Sequence, residues 1–383
     1  MNSQQHKLCM IPGPIEFHED VLSAMSVKST SHVAPDFIEI FGDSLEKLRK
    51  VFLSSDAQPF ILSGSGVLGW DTVASNLLEK DDRVLVLSTG VFGDRFAECL
   101  ETYGAKATKL SSKLGDKHQL SDIENELKKQ DYKMVTITQV DTSTGVLSDV
   151  KEISSLVRSI LPEALIVVDG VCSAAAEELR FDEWGIDVIH TASQKAIGVP
   201  PGLCIFMISK KGIKRFESRK TPVPNYYCNL KSWIPIMNAY EARKPSYFGT
   251  PAVQLINALN VSLTQILSHG MEKVFETHRK VAKEFRSKIK ALGLKTVTQS
   301  EDCAANTMTT IYYPEGIQGQ ELLKAISSDG VVLAGGLHPA ISTKYFRIGH
   351  MGLSALDASR GHVDKVFEVL NSSLSKLGFQ SNH

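Results

Sequence analysis

ALIVVDGVCS (164–173) and, further along, DVIHTASQKAIGVPPGLCIFMIS (187–209) decide how this chain folds. Each contains short Val- and Ile-rich runs that are apolar at successive positions, the pattern of strands covered on both faces. PFIL (59–62), RVLVLS (83–88) and MVTITQV (134–140) read the same way. Between the runs lie amphipathic stretches. In 150–160, Val150, Ile153, Leu156, Val157 and Ile160 fall on one helical face. Such alternation predicts an α/β fold with a mainly parallel central sheet covered by helices, and ligands at the carboxyl ends of its strands. A different section starts near Thr250, which reads as an N-cap with Pro251 in the first helical position. Leu255, Leu259, Leu263 and Leu267 continue that helix to a stop at Gly270. TMTTIYY (307–313), VVLAG (331–335) and YFRIG (345–349) then predict a smaller C-terminal α+β domain. The expected division is an N-terminal arm over 1–20, a large domain over 21–265 and a small domain over 266–383.

The composition narrows the function classes. The chain has 383 residues, with 42 Lys and Arg against 43 Asp and Glu, a net charge of −1. That balance argues against nucleic-acid or membrane-surface binding, which favour a basic excess. Hydrophobic residues at 43% and charged residues at 22% are ordinary for a globular protein. The six cysteines include no CxxC pair and no zinc spacing, so no metal is expected. The opening MNSQQHKLCM lacks the apolar core of a secretory signal, and the closing SNH is not a peroxisomal SKL. A soluble, intracellular, cytoplasmic protein is the expectation, with mitochondrion and peroxisome left open.

Three features carry chemistry. Lys195 is the only Asp, Glu, Lys or Arg within 188–209, in a segment between two strands. Desolvation there lowers an ammonium pKa and makes the amine a nucleophile towards carbonyls; the competing view is a lysine that snorkels out of the turn. Asp169 ends the run ALIVV, where a carboxylate suits a cationic partner or, alternatively, a simple turn before Gly170. SGSGVLG (63–69) follows a strand and leads into WDTVASNLLEK, read as a helix. Its small residues and the helix start suit a phosphate, or merely a tight turn. Gly64, Gly66 and Gly69 also match GxGxxG, but the next strand ends at Ser88 with no carboxylate to hold a ribose. Together, an anion nest, an aspartate for a pyridinium nitrogen and an amine for an aldehyde match pyridoxal 5'-phosphate. Arg347, in KYFRIGHMG, offers a guanidinium for a substrate carboxylate.

The chain resembles the alanine–glyoxylate (serine–pyruvate) aminotransferase family of fold-type-I pyridoxal-phosphate enzymes, the class V aminotransferases. The resemblance rests on IPGPIEFHEDVLSAM, SGSGVLGWDTVASNLL, STGVFGDRF, TSTGVLSDV, IVVDGVCS, ASQKAIGVPPG, YFGTP and YFRIGHMG. It implies Lys195 as the lysine that bonds the cofactor aldehyde and Asp169 as partner of the ring nitrogen. It further implies cofactor contacts at Ser65, Gly66, Val67, Phe92, Ser143, Val171 and Gln194. Tyr247 and Thr250 match residues that reach the phosphate of the neighbouring subunit, which implies a homodimer with shared active sites. Arg347 matches the substrate-carboxylate arginine. Phe92 stands where many relatives stack an aromatic residue, often tryptophan; Val67 replaces a frequent histidine or threonine, and Ser31–His32 a glycine–histidine.

The implied reaction moves the amino group of alanine, or of serine, to glyoxylate by a ping-pong mechanism, giving glycine. A desulfurase-type lyase is the alternative enzyme and would need a mobile cysteine, for which Cys303 is the only cysteine beyond Cys228. A scaffold with a dead site is the non-enzymatic alternative, and the intact lysine argues against it.

Overall fold

A computed structural model describes residues 6–380. The MNSQQ and SNH ends read above for targeting lie outside them. A seven-stranded sheet runs from Gln58–Ser63 at one edge through Leu203–Ile208, Val188–Ala192, Leu165–Asp169, Met134–Thr138 and Arg83–Ser88 to Lys106–Ser111. Leu203–Ile208 is antiparallel to both of its neighbours, and the remaining pairs are parallel. Six strands therefore point the same way, as the alternating runs predict. The inner strands are buried along their whole length, which is why they read as unbroken apolar runs. Lys106–Ser111 was not among the expected strands. As an edge strand it has no fully buried residue and carries two lysines, a pattern that lacks the apolar signal of its neighbours.

The direction of the strands positions the site. Gln58–Ser63, Leu165–Asp169 and Val188–Ala192 all end at one edge of the sheet, and SGSGVLG, Asp169 and the Lys195 segment follow from those ends. The helix after the glycine-rich turn begins earlier than WDTVASNLLEK suggests, spanning Val67–Leu77 with Gly66 as N-cap.

The helix near Thr250 differs from expectation. It spans Val253–His269 with Ala252 as N-cap, so Thr250 and Pro251 precede it and Thr250 does not cap it. It packs in the large core against Pro35–Val51. The following helix, Met271–Ala291, is the one that links the two cores: Val274 and Phe275 lie in the large one, Phe285 and Ile289 in the small one. The small core is backed by an antiparallel sheet of Met308–Tyr312, Tyr345–Gly349 and Ala334–Gly335. The N-terminal segment joins it too. Leu8–Cys9 pairs in parallel with Val331–Val332, and Leu8 and Met10 are buried in the small core. Among the described residues, no helix is long and apolar enough to cross a membrane, and no cluster of His, Cys, Asp or Glu has metal-ligand geometry.

Candidate active site

A cavity of about 220 Å³ lies at the carboxyl edge of the sheet. Ser65, Gly66, Val67, Phe92, Asp169, Val171, Gln194 and Lys195 all border it. Segments far apart in sequence are thus brought together because parallel strands deliver their following loops to one edge.

Lys195 is buried, and its Nζ donates to the Pro12 carbonyl oxygen. Burial holds its ammonium below the usual lysine range; the Arg347 charge acts in the same direction, while Cys172 and Asp169 oppose it. Pro12 can approach because Gly13 has no side chain: a Cβ there would stand 2.4 Å from Lys195 Cδ. The approach was not visible in the sequence, since it joins residues 183 positions apart.

Asp169 is buried at the end of its strand. Its Oδ1 accepts from the Val171 N–H at 3.0 Å and its Oδ2 from Trp70 Nε1 at 2.9 Å. Trp70 also lines the cavity and was missed by the sequence reading. Its signal was its place four residues after Gly66, which puts both on one helical face.

Ser65 and Gly66 form the turn at the start of helix Val67–Leu77. The Leu68 and Gly69 N–H groups turn back to the Ser65 and Gly66 carbonyl oxygens at 3.0 Å, and the helix start carries partial positive charge towards an anion. Val67 is exposed, and Phe92 packs beside Trp70 with ring centroids 6.4 Å apart.

Ser143 does not border the cavity. It is fully buried; its Oγ accepts from the Val91 N–H at 3.0 Å and donates to Asp141 Oδ1 at 2.6 Å. Asp141 Oδ2 accepts from the N–H of Phe92 at 3.0 Å and of Gly93 at 3.3 Å. Ser143 and Asp141 therefore cap the helix Val91–Thr102, and that helix carries Phe92 to the cavity. Thr138, Val140, Thr142 and Cys172 complete the wall; they lie within MVTITQV, TSTGVLSDV and IVVDGVCS, but nothing in those segments singles them out as site residues.

Arg347 lies on Tyr345–Gly349, half-buried, donating to Gly335 O at 2.8 Å and to Thr142 O at 3.2 Å. It does not itself border the cavity, but it bonds the wall residue Thr142 and its charge reaches Lys195. Burial lowers its pKa. Tyr247 and Thr250 are exposed, 3.5 Å apart at their hydroxyls and outside the cavity wall, with the Tyr247 ring against His32. Cys303, the cysteine a desulfurase would use, is buried with Sγ 3.4 Å from Gly115 O, also outside the wall.

The donor set is a desolvated amine, a buried carboxylate with no cationic side chain in hydrogen-bond contact among the described residues, and a small-residue turn opening a helix. These fit the aldehyde, ring nitrogen and phosphate of pyridoxal phosphate.

Comparison with known proteins places the chain. The family described as aminotransferase class V matches residues 14–359. The chain is similar to alanine–glyoxylate aminotransferase 1 of Saccharomyces cerevisiae, with 42% identity over 96% of this chain and 97% of that one. Its similarity to alanine–glyoxylate aminotransferase of Drosophila melanogaster is 30% over 98% and 95%. Among solved structures, ureidoglycine–glyoxylate aminotransferase from Bacillus subtilis superposes with a TM-score of 0.89 at 28% identity, covering 98% of this chain and 95% of that one.

Proposed function

The chain belongs to the class V aminotransferases, and we propose that it transfers the amino group of alanine to glyoxylate, giving pyruvate and glycine, with pyridoxal phosphate as cofactor. The observation that carries this reading is the convergence of Lys195, Asp169 and the Ser65–Gly66 turn on one cavity, in a chain 42% identical to an alanine–glyoxylate aminotransferase. Serine is the alternative amino donor, differing from alanine by one hydroxyl.

When bound, pyridoxal phosphate supplies an electron sink for the pair left at the substrate Cα. Lys195 and Asp169 would hold its aldehyde and ring nitrogen, the Ser65–Gly66 turn and Gln194 its phosphate, and Val67, Phe92 and Val171 its flanks. Ser143 contributes by fixing the helix that presents Phe92. Burial favours the uncharged Lys195 amine, the form able to take a proton from the donor Cα. In the return half-reaction the same Nζ gives a proton to the acceptor Cα, so one lysine serves both directions. Asp169 keeps negative charge at the strand end, where it stabilises a protonated ring nitrogen. Arg347 holds each substrate in turn by its carboxylate, which aligns donor and acceptor identically and supports ping-pong exchange.

The same reading makes the active unit a homodimer. Tyr247 is 62% exposed and Tyr226 81% exposed, beside a cluster in which Tyr226, Phe248, Trp233 and Tyr227 rings pack in sequence. An apolar face of this kind suits a second copy of the chain. There, Tyr247 and Thr250 would complete the partner's phosphate site.

The test is an absorbance scan of protein loaded with pyridoxal phosphate, followed by a panel of amino donors with glyoxylate. A band near about 410–430 nm that fades on adding alanine, with glycine formed, is the expected result. A loaded protein that forms no glycine from any donor would overturn the reading.

A further inference from the structure

His190 sits in the strand Val188–Ala192, beside Asp169 in the parallel register. It is fully buried. The rings of Trp70 and Phe96 stand edge-on to it, at 6.5 and 5.8 Å between centroids. Gly69 makes room for the imidazole, since a Cβ there would lie 2.6 Å from His190 Cγ. Among the described residues neither ring nitrogen has a hydrogen-bond partner, a rare and costly condition in a native core. Nε2 lies 3.8 Å from Asp169 Oδ2, just beyond hydrogen-bond reach. Burial lowers the pKa of the imidazole, with Asp169 as the weaker opposing influence. The ring is therefore neutral near pH 7 and has one N–H to offer, which the neighbouring carboxylate favours on Nε2.

We propose that His190 is a positioning residue for Asp169, its Nε2–H closing on Oδ2 when the carboxylate takes a cationic partner in the cavity. The inference rests on the cofactor reading above, in which that partner is the protonated ring nitrogen of pyridoxal phosphate. Trp70 and His190 then both hold Oδ2, Val171 N–H holds Oδ1, and the carboxylate cannot rotate away from the cavity. The movement needed is about 1 Å, the difference between 3.8 Å and an ordinary hydrogen bond. A histidine kept only for packing would gain nothing from this neighbour, because a phenylalanine fills an aromatic cage without leaving two nitrogens unpaired.

The test measures pyridoxal phosphate binding by equilibrium dialysis, together with the melting temperature of the cofactor-free protein, for wild type, His190→Phe and His190→Gln. His190→Phe should melt at or above the wild-type temperature when cofactor-free, yet bind pyridoxal phosphate about ten- to a hundredfold more weakly. His190→Gln keeps an N–H donor and should recover part of that loss. Protein labelled with ¹⁵N-histidine should show a hydrogen-bonded Nε2–H signal on loading that the cofactor-free protein lacks. That spectrum and the Gln variant decide the matter should His190→Phe fail to fold. Binding at wild-type strength in both variants overturns the proposal, as does a melting temperature that falls in parallel with affinity, which marks a packing residue. Wild-type protein that takes up no pyridoxal phosphate refutes the cofactor reading instead, so the two failures are distinct.

Discussion

Replacing Gly13 by alanine should displace Lys195 without altering it. Gly13 has φ +111°, and an added Cβ would stand 2.4 Å from Lys195 Cδ and 2.8 Å from its Nζ. Non-bonded carbons rest about 3.5–4.0 Å apart, so the lysine must retreat by about 1 Å. The backbone strain of an alanine at this φ costs about 1–3 kcal/mol. With an unfolding entropy of about 2.1 cal/mol/K per residue, that lowers the melting temperature of a 383-residue chain by roughly 1–4 °C. The chemical effect should be larger, because a misplacement of about 1 Å can reduce turnover by about a hundredfold. The assay compares melting temperatures in a cycle of wild type, Gly13→Ala, Lys195→Ala and the double variant, with turnover measured for Gly13→Ala. In the Lys195→Ala background the clash is gone and only the backbone strain remains, so the two substitutions should be non-additive by at least about 0.5 kcal/mol. Equal melting losses in both backgrounds, with wild-type turnover in Gly13→Ala, would show that this contact does not set the position of the amine.

Lys195→Ala should abolish transamination and leave the fold intact; borohydride reduction and mass spectrometry should find the cofactor on Lys195 in wild type, and its discovery on another lysine would refute the assignment. Asp169→Asn should retain some cofactor but lose most turnover, because a neutral amide cannot stabilise a ring-nitrogen cation; wild-type turnover would assign the task elsewhere. A heterodimer of Lys195→Ala chains with Tyr247→Ala/Thr250→Ala chains should regain activity at one of its two sites, since sharing concentrates both defects in the other; a fully active monomer would exclude shared sites. The last expectation concerns pH. His278 donates from Nδ1 to Val274 O at 2.8 Å and accepts at Nε2 from Gly352 N–H at 3.0 Å, which requires the neutral ring. Burial lowers its pKa to about 4, and that of His350 to about 3, against about 6.5 when unfolded. Because the folded values are depressed, the unfolded chain binds more protons below pH 6.5, so this stability is present above that pH and is lost as pH falls towards 4. Melting temperature should decline steadily over that window, less steeply in His278→Gln; identical slopes would count against the role of His278.

Much of this protein was legible one segment at a time. Strand composition is local, so the apolar runs at 165–169, 188–192 and 203–208 were visible without a structure. Lys195 and Asp169 stood out for the same reason, as a charge in an uncharged stretch and a carboxylate at a strand end. Where burial is partial, the signal fades: the edge strand Lys106–Ser111 lacks an apolar run because none of its residues is fully buried. The Thr250 N-cap failed because cap residues are common in turns too, and the helix begins only at Val253. The rest was decided by strand order. That order brings Ser65, Asp169 and Lys195 to one edge, sets Trp70 Nε1–H against a carboxylate 99 positions away, and lays Pro12 on the lysine. It also aligns His190 with Asp169. Residue types and periodicity determine which segments become strands and which side chains can do chemistry. Which of them meet depends on pairing between distant segments, and no local pattern encodes that, because each strand could satisfy its hydrogen bonds with several neighbours and only the packing of all of them selects one.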